Sequence, residues 1–219
     1  MRAVWGVSVA VVTLVVCAPR HLRAQADSAA PSVWSRPVHI DGAIGVSAVT
    51  GQWGEAFDVG DYGAVDVAWS VPSASFLWLD GRFTYQSHLA RSNTLTVYQA
   101  TGGGAAIVSG TVNVVAHIPD LLFDRVSPYA IGGGGLYSRA IELDGVTSTG
   151  VCIPFVGFCG ITGPAANHTR TQNVVGWDAG GGFRIRTGEL WLFVEARYTS
   201  ANTAHGATTS VPIAIGLSF

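Results

Sequence analysis

The chain has 219 residues, of which 48% are hydrophobic and only 12% are charged, about half the charged fraction usual for soluble proteins. Its twelve basic residues are all arginines, and the formal net charge at pH 7 is −2. A soluble globule needs charge on its surface and a nucleic-acid-binding protein needs a basic cluster, so the composition argues against both classes.

The first 26 residues have the features of an export signal. Arg2 precedes the fifteen-residue apolar run VWGVSVAVVTLVVCA, and AQA at 24–26 fits a small-x-small cleavage site. Fifteen residues are short for a membrane-spanning helix, which needs roughly 20. We therefore expect residues 1–26 to be removed during export through the periplasm. An uncleaved anchor is the alternative, and a lipoprotein site at Cys17 is disfavoured because Val16 precedes it.

Residues 27–37 form a short polar lead. In residues 38–219, apolar and polar residues alternate with a period of two rather than with the 3.6-residue period of a helix. In the run 76–87, Leu79 and Phe83 face one way, whereas Asp80 and Arg82 face the other. The segment 95–101 extends the fourth strand or lies in a loop, so ten strands remain an alternative to eight. The eight predicted strands are at about 38–50, 62–72, 76–87, 104–118, 127–142, 173–187, 190–201 and 210–219.

The connections between these strands alternate in length. Three are short, and the others are mostly longer and rich in Gly, Ser, Thr and Asn. Outer-membrane barrels have this pattern, with short periplasmic turns and longer external loops. We therefore predict an all-β, eight-stranded, antiparallel up-and-down transmembrane barrel over residues 38–219. The short connections are at 72–74, 119–126 and 187–189, and the longer ones are at 51–61, 88–103, 143–172 and 202–208.

The polar faces of the predicted strands carry charges of both signs, whereas the apolar faces are bulky and continuous. A closed barrel in a membrane would place opposite charges together inside and apolar side chains against lipid, with every backbone group paired. Eight strands leave an interior that side chains can fill, so we expect a packed polar lumen. The expected lumen charges are Asp66, Asp80, Arg82, Asp178, Arg184, Arg186, Glu195 and Arg197.

Two glycine runs and several aromatic residues allow more than one interpretation. GGGG at 132–135 and GGG at 180–182 lack the Lys of a phosphate-binding loop, so we expect strand bends there. The aromatic residues near the strand ends would form interfacial girdles or lie buried. These residues are Tyr129, Tyr137, Trp177, Trp191 and Tyr198.

The longest predicted loop, 143–172, holds two cysteines and several apolar residues. Export and the Gly/Pro-rich context predict a disulfide between Cys152 and Cys159, because a metal site would need a second pair of ligands. The apolar residues predict contact with an extracellular partner, or else packing on the barrel rim. They are Val151, Ile153, Phe155, Val156 and Phe158.

Three segments, SPYAIGGGGLYSR, GWDAGGGFRIRTGELWLFVEARYT and VPIAIGLSF, resemble small eight-stranded outer-membrane barrels of the OmpA-like and OmpX-like type. The resemblance covers about 38–219 and implies a monomer in the outer membrane of a Gram-negative bacterium, in contact with membrane lipid and lipopolysaccharide. Its expected role is structural or surface recognition through the loops, without a cofactor. The resemblance further implies that the last strand closes the barrel against the first and is read by the barrel-assembly machinery. The matching residues are Val211, Ile213, Ile215, Leu217 and Phe219.

Three other functions stay open at this point. RYTSANTAH at 197–205 is faintly similar to the region of lipid A deacylases that holds a catalytic Ser and His, but no His directly precedes Ser200 and His205 lies five residues on. A narrow pore is the second alternative. A soluble periplasmic barrel carrying a hydrophobic ligand is the third, and the charged inner faces argue against it.

Overall fold

Eight antiparallel strands close into a barrel in the computed structural model, which describes residues 38–118, 126–146, 152–153, 158–159, 166–187, 190–203 and 206–219. Each barrel strand pairs with its neighbours along the chain, and the last strand pairs with the first. The predicted fold class is therefore confirmed. The barrel strands are β1 (Val38–Thr50), β2 (Gly60–Val71), β3 (Ala74–Leu89), β4 (Gly102–His117), β5 (Val126–Val146), β8 (Ala166–Thr187), β9 (Leu190–Thr203) and β10 (Gly206–Ser218).

Two further strands, β6 (Cys152–Ile153) and β7 (Phe158–Cys159), form a separate hairpin between β5 and β8. Ten strands are therefore present in the described part of the chain, but only eight of them form the barrel. The segment 95–101 contributes to neither set.

The C-terminal ladder closes the barrel. In the antiparallel register of β1 and β10, Ile44 lies opposite Ile215 and Val46 lies opposite Ile213. The Phe219 N–H donates to the Ile40 carbonyl at 3.0 Å, so pairing continues to the last residue. The terminal strand thus has the neighbour that the resemblance implied.

Alternation along the strands separates an apolar outer face from a polar inner face, because successive side chains of a strand point to opposite sides. Val112 and Val175 are 65% and 68% exposed on the outside, whereas Asp66 and Arg82 are 1% and 6% exposed inside. This is the orientation that the sequence predicted. Other exposed apolar residues of the outer face, here called the belt, are Ile40, Ile44, Val65, Trp69, Leu79, Phe83, Val114, Leu136, Trp177, Phe183, Val194, Tyr198, Ile213 and Ile215.

The barrel has two different ends. The terminus end holds Val38 and Phe219 together with the connections 72–73, 118–125 and 188–189. The loop end holds the connections 51–59, 90–101, 147–165 and 204–205.

Strand lengths at the loop end differ from the prediction. The connection between β9 and β10 has only two residues, because both strands continue into the predicted loop 202–208. β8 begins at Ala166 instead of about 173, since it stays paired with β5 up to the pair Leu143 and His168 and beyond. Polar residues in these stretches hid the strands, because alternation is weak where both faces meet water.

Two short helices that the sequence did not predict lie at the loop end. They are α1 (Gln52–Ala56) and α2 (Ser92–Val97), of five and six residues. Fewer than two turns cannot show a repeated 3.6-residue pattern, which explains why they were missed. In the described part of the chain, no helix is long and apolar enough to cross a membrane.

Glycines in both runs leave space for large or polar side chains of neighbouring strands. A Cβ on Gly182 in β8 would lie 2.7 Å from the Tyr129 hydroxyl oxygen, and one on Gly133 in β5 would collide with the Asn113 side chain. At these two positions, glycine lets the side chains of neighbouring strands approach the backbone closely inside a narrow barrel.

Candidate functional site: the packed lumen and the loop end

A cluster of opposite charges fills the middle of the lumen. Arg82 on β3 lies between Asp66 on β2, with Nε 2.5 Å from Oδ1, and Glu195 on β9, with Nη1 2.5 Å from Oε1. Arg197 on β9 also contacts Glu195, with its Nε 2.5 Å from Oε1, and reaches Asp178 on β8 at 2.8 Å. Glu195 therefore joins the two arginines, and the cluster ties four barrel strands together.

The cluster holds four carboxylates and only two guanidinium groups. Asp80 is the most weakly paired member, at 3.7 Å from Arg82 and 3.8 Å from Arg197. Buried charges are costly unless they are both paired and hydrogen-bonded. Two tyrosines supply additional hydrogen bonds, since Tyr129 Oη donates to Glu195 Oε2 at 2.8 Å and Tyr137 Oη donates to Asp178 Oδ2 at 3.3 Å.

The aromatic residues near the strand ends divide between the two faces. Tyr129, Tyr137 and Trp191 are 5%, 2% and 3% exposed and point into the barrel. Trp177 and Tyr198 lie on the outer face, with ring centroids 5.5 Å apart. Only this second pair is placed where an interfacial girdle would need it.

A second charged group lies toward the terminus end, around Arg184. Its Nη2 is 2.6 Å from Asp41 Oδ2, and its Nη1 is 3.3 Å from His39 Nε2. The His39 ring lies 4.3 Å from the ring of Trp78. Arg184 is therefore buried as expected for the lumen, but its partners on β1 were not identified from the sequence. The alternation in VHID could have identified these partners, because the polar His39 and Asp41 alternate with the apolar Val38 and Ile40.

Arg186 does not lie in the interior. It follows Arg184 by two residues on β8, but its side chain is exposed near the end of that strand. The sequence predicted a lumen position for Arg186. That prediction is wrong, because the buried inner face of β8 ends at Arg184.

Little open space remains between these groups. A cavity between Asp41, Trp78, Asp80 and Tyr129 has room for about one water molecule, and so does a second cavity between Tyr62, Tyr137 and Asp178. No group of three or more His, Cys, Asp or Glu residues in the described part of the chain is arranged to hold a metal ion.

A layer of hydroxyl and amide groups lies above the charged cluster toward the loop end. Gln86 Oε1 accepts hydrogen bonds from Ser47 Oγ at 2.8 Å and Ser210 Oγ at 3.1 Å. Thr84 and Ser109 are joined by a hydrogen bond of 2.6 Å between their hydroxyl oxygens. These neutral contacts link β1, β3, β4 and β10 without further charge.

Apolar residues close the loop end of the lumen. Trp53 on α1 is 2% exposed, and its ring stacks on Phe57 at 5.3 Å. Tyr98, at the end of α2, packs against the same cluster, and burial raises the pKa of its hydroxyl. We call this cluster the plug; its buried members are Val49, Trp53, Ala56, Phe57, Ala90, Ala105, Ile141 and Leu143.

The hairpin in the connection between β5 and β8 brings the two cysteines into register. The backbone of Cys152 is paired with that of Cys159, and Ile153 is paired with Phe158. Directly paired residues of antiparallel strands have Cα atoms about 4.5–5.5 Å apart, within the range of about 4.4–6.8 Å that a disulfide allows. The disulfide itself stays a prediction, and Val151, Phe155 and Val156 lie outside the described residues.

Of the two residues of the possible deacylase site, the structure describes only Ser200. Ser200 is 6% exposed in β9, where it is paired with Trp177 of β8. His205 lies outside the described residues. The enzymatic alternative therefore gains no support from the position of Ser200.

A closed eight-stranded barrel with an apolar belt outside and paired charges inside is the architecture of a protein that spans a membrane with strands. The chain accordingly has the fold of a small transmembrane β-barrel. No family model matches its sequence, and no curated protein is similar enough to be recognised as a relative.

Several solved structures are similar to this chain. Neisserial surface protein A is 12% identical, with a TM-score of 0.55 over 84% of this chain and 96% of that one. Ail from Yersinia pestis is 11% identical, with a TM-score of 0.43 over 83% and 96% of the two chains. The N-terminal barrel domain of Pseudomonas aeruginosa OprF is 10% identical, with a TM-score of 0.41 over 83% and 97%. The first similarity agrees with the barrel fold and shows nothing more specific.

Proposed function

We propose that this protein is a non-conducting anchor in the outer membrane which presents its loop-end surface for recognition. The packed lumen carries this proposal. A pore needs a continuous water path from one end to the other. Here the charged cluster fills the middle of the barrel and the plug covers the loop end.

Each layer of the lumen contributes to this closure. Arg82, Glu195 and Arg197 connect opposite parts of the barrel wall through contacts of 2.5 Å, and the two cavities beside them each have room for about one water molecule. Beyond the hydroxyl layer, the buried rings of Trp53 and Phe57 replace water with apolar surface. Ions would have to displace both layers in order to pass.

The outer face supports a projecting loop end. On β5 the apolar Leu136 is followed on the same face by Ser138 and Glu142, and on β8 Val175 is preceded by Asn173. The change from apolar to polar marks the edge of the belt. Because β5 and β8 remain paired beyond this edge, the loop-end residues of these two strands would project from the membrane.

The apolar residues of that connection are the proposed contact surface for an extracellular partner. The barrel closes without apolar surface from this connection, yet five large apolar residues lie within eight positions of it. They are Val151, Ile153, Phe155, Val156 and Phe158. Contiguous apolar surface on a folded protein often marks an interaction site. Packing of these residues on the barrel rim is the outcome that would remove this part of the proposal.

Planar-bilayer recordings test the closed lumen. We expect no discrete conductance steps from the purified, folded protein, with a known porin recorded in the same bilayers as the positive control. The double variant Trp53→Ala and Phe57→Ala removes the plug but keeps the charged cluster, so it should also remain silent. Regular conductance steps from the unmodified protein would contradict the proposal.

A further inference from the structure

Arg139 differs from the other arginines buried in the lumen. It is 3% exposed, yet no carboxylate lies within ion-pair distance of it among the described residues. By contrast, Arg82, Arg184 and Arg197 each lie 2.8 Å or less from a carboxylate oxygen. Arg139 is therefore a buried cation without a counter-charge.

Within the described part of the chain, Arg139 contacts uncharged groups. Its Nη1 donates to the Thr208 hydroxyl, its Nη2 donates to Gln172 Oε1, and its guanidinium carbon lies 4.9 Å from the centroid of the Trp53 ring. Its Nε has no hydrogen-bond partner among the residues that the structure describes. A guanidinium out of water is costly unless a negative charge compensates it.

The two connections that flank Thr208 and Gln172 provide no such charge. Glu55 and Asp58, in the connection that holds Trp53, are exposed, and Asp58 is paired with Arg91. Residues 145–177 and 196–219 contain no Asp or Glu, and these stretches include the loops on both sides of the site. Glu142 and Asp144 belong to β5, but they alternate with the inward-facing Arg139 and lie on the opposite face. Because neither the described residues nor these two connections supply a counter-charge, an anion from outside the chain would compensate Arg139.

A second arginine lies beside the first on the inner face. Gln172 on β8 is paired with Arg139 on β5, and Arg170 precedes Gln172 by two residues. Diagonal neighbours of this kind on one face are about 7–8 Å apart, within reach of two long side chains. Arg170 is exposed, and the described residues offer it no ion pair. An oxyanion between the two guanidinium groups would satisfy both and relieve their mutual repulsion.

We propose that the loop end of the lumen binds a phosphate group between Arg139 and Arg170, with Thr208 and Gln172 as neutral neighbours. Guanidinium groups match tetrahedral phosphate oxygens with paired hydrogen bonds, and such charge-assisted bonds are the strong ones. Arg170 lies at the open side of this site and Arg139 behind it. The phosphate is either a free inorganic ion or part of a lipopolysaccharide headgroup that reaches the rim.

Isothermal titration calorimetry tests the site with the full chain folded in a phosphate-free nonionic detergent. Inorganic phosphate is titrated at constant ionic strength, and we expect saturable binding to one site. Arg139→Gln and Arg170→Gln should each weaken it at least tenfold. Arg91→Gln is the matched control, because Arg91 lies at the same end but is paired with Asp58 at 3.0 Å, and it should leave binding unchanged.

A second arm distinguishes the source of the phosphate by titrating lipopolysaccharide under the same conditions. Arg139-dependent binding of free phosphate identifies the ion, and Arg139-dependent binding of lipopolysaccharide alone identifies the headgroup. The proposal is overturned if neither binds, or if both arginine variants bind as tightly as the unmodified protein. Should Arg139→Gln fail to fold, Arg170→Gln decides the outcome, because its exposed side chain is not needed to fill the lumen.

Discussion

At the scale of single residues, Arg82 has the densest set of charged contacts in the lumen. Its guanidinium lies 2.5 Å from both Asp66 and Glu195. Removing one partner of a buried ion pair costs about 3–5 kcal/mol, because the remaining charge stays out of water without compensation. We expect Arg82→Ala to lower the free energy of unfolding by about that amount, measured by urea unfolding in lipid vesicles.

Arg91→Ala is the control for this measurement. Arg91 also contacts an aspartate, Asp58, but both side chains are about half exposed, at 44% and 60%. Exposed pairs contribute about 0–1 kcal/mol, since solvent screens them. Equal effects of the two substitutions would show that the Arg82 cluster is hydrated and that the lumen is not packed as described.

Charged residues of the lumen could be predicted where alternation was clear on both sides of them. Asp66 lies between two valines, Arg82 precedes a phenylalanine and Glu195 follows a valine, and all three charged residues are buried. Tyr129 and Tyr137 occupy odd-numbered positions of β5, as the inward-facing Arg139 does. Aromatic residues occur on either face of a barrel strand, so only this alternation along β5 could have placed the two tyrosines in the lumen. Which carboxylate pairs with which arginine depends on register across strands, and one sequence does not contain that information.

At the scale of the strand, the alternation separates lipid-facing from lumen-facing positions, and a charge on the outer face tests this directly. Val112 is 65% exposed in the middle of β4. A basic residue at the bilayer midplane of an outer-membrane barrel costs about 2–4 kcal/mol, and one near the interface costs about 0–1 kcal/mol. We expect Val112→Arg to destabilise the barrel by the larger amount in vesicles.

Asn173→Arg provides the comparison for Val112→Arg. Asn173 is exposed on the outer face of β8, but it lies beyond Val175 at the loop-end edge of the belt. Its substitution should change the free energy of unfolding by about 1 kcal/mol or less. If Val112→Arg were equally harmless, the belt would not be in contact with lipid.

The elements themselves were predictable to different degrees. β1 follows from its alternation, and the pairing of β10 with β1 was implied by the resemblance of the ladder before Phe219 to the last strand of small outer-membrane barrels. The helices α1 and α2 could not be predicted, because neither has a side-chain N-cap hydrogen bond and each covers less than two turns. What holds α1 in place is tertiary, since Trp53 and Phe57 are buried in the plug.

At the scale of the whole molecule, the terminus end and the middle of the barrel are tied by charge, whereas the loop end is closed by apolar residues and carries the longest connection. That connection, 147–165, leaves the barrel after β5 and β8 have completed their pairing. Its removal should therefore leave the barrel intact. Halving a loop changes its closure entropy by only about 0.6 kcal/mol, and in the stabilising direction.

Replacing residues 147–165 by a nine-residue epitope tests this division between barrel and loop. We expect the variant to fold, with unchanged heat-modifiable gel migration, and an antibody to label it on intact cells. The same epitope inserted between Pro72 and Ser73, at the terminus end, should be labelled only after the membrane is made permeable. Loss of folding in the first variant would mean that the loop is part of the barrel's own packing, and its apolar residues would then cover the rim instead of contacting a partner.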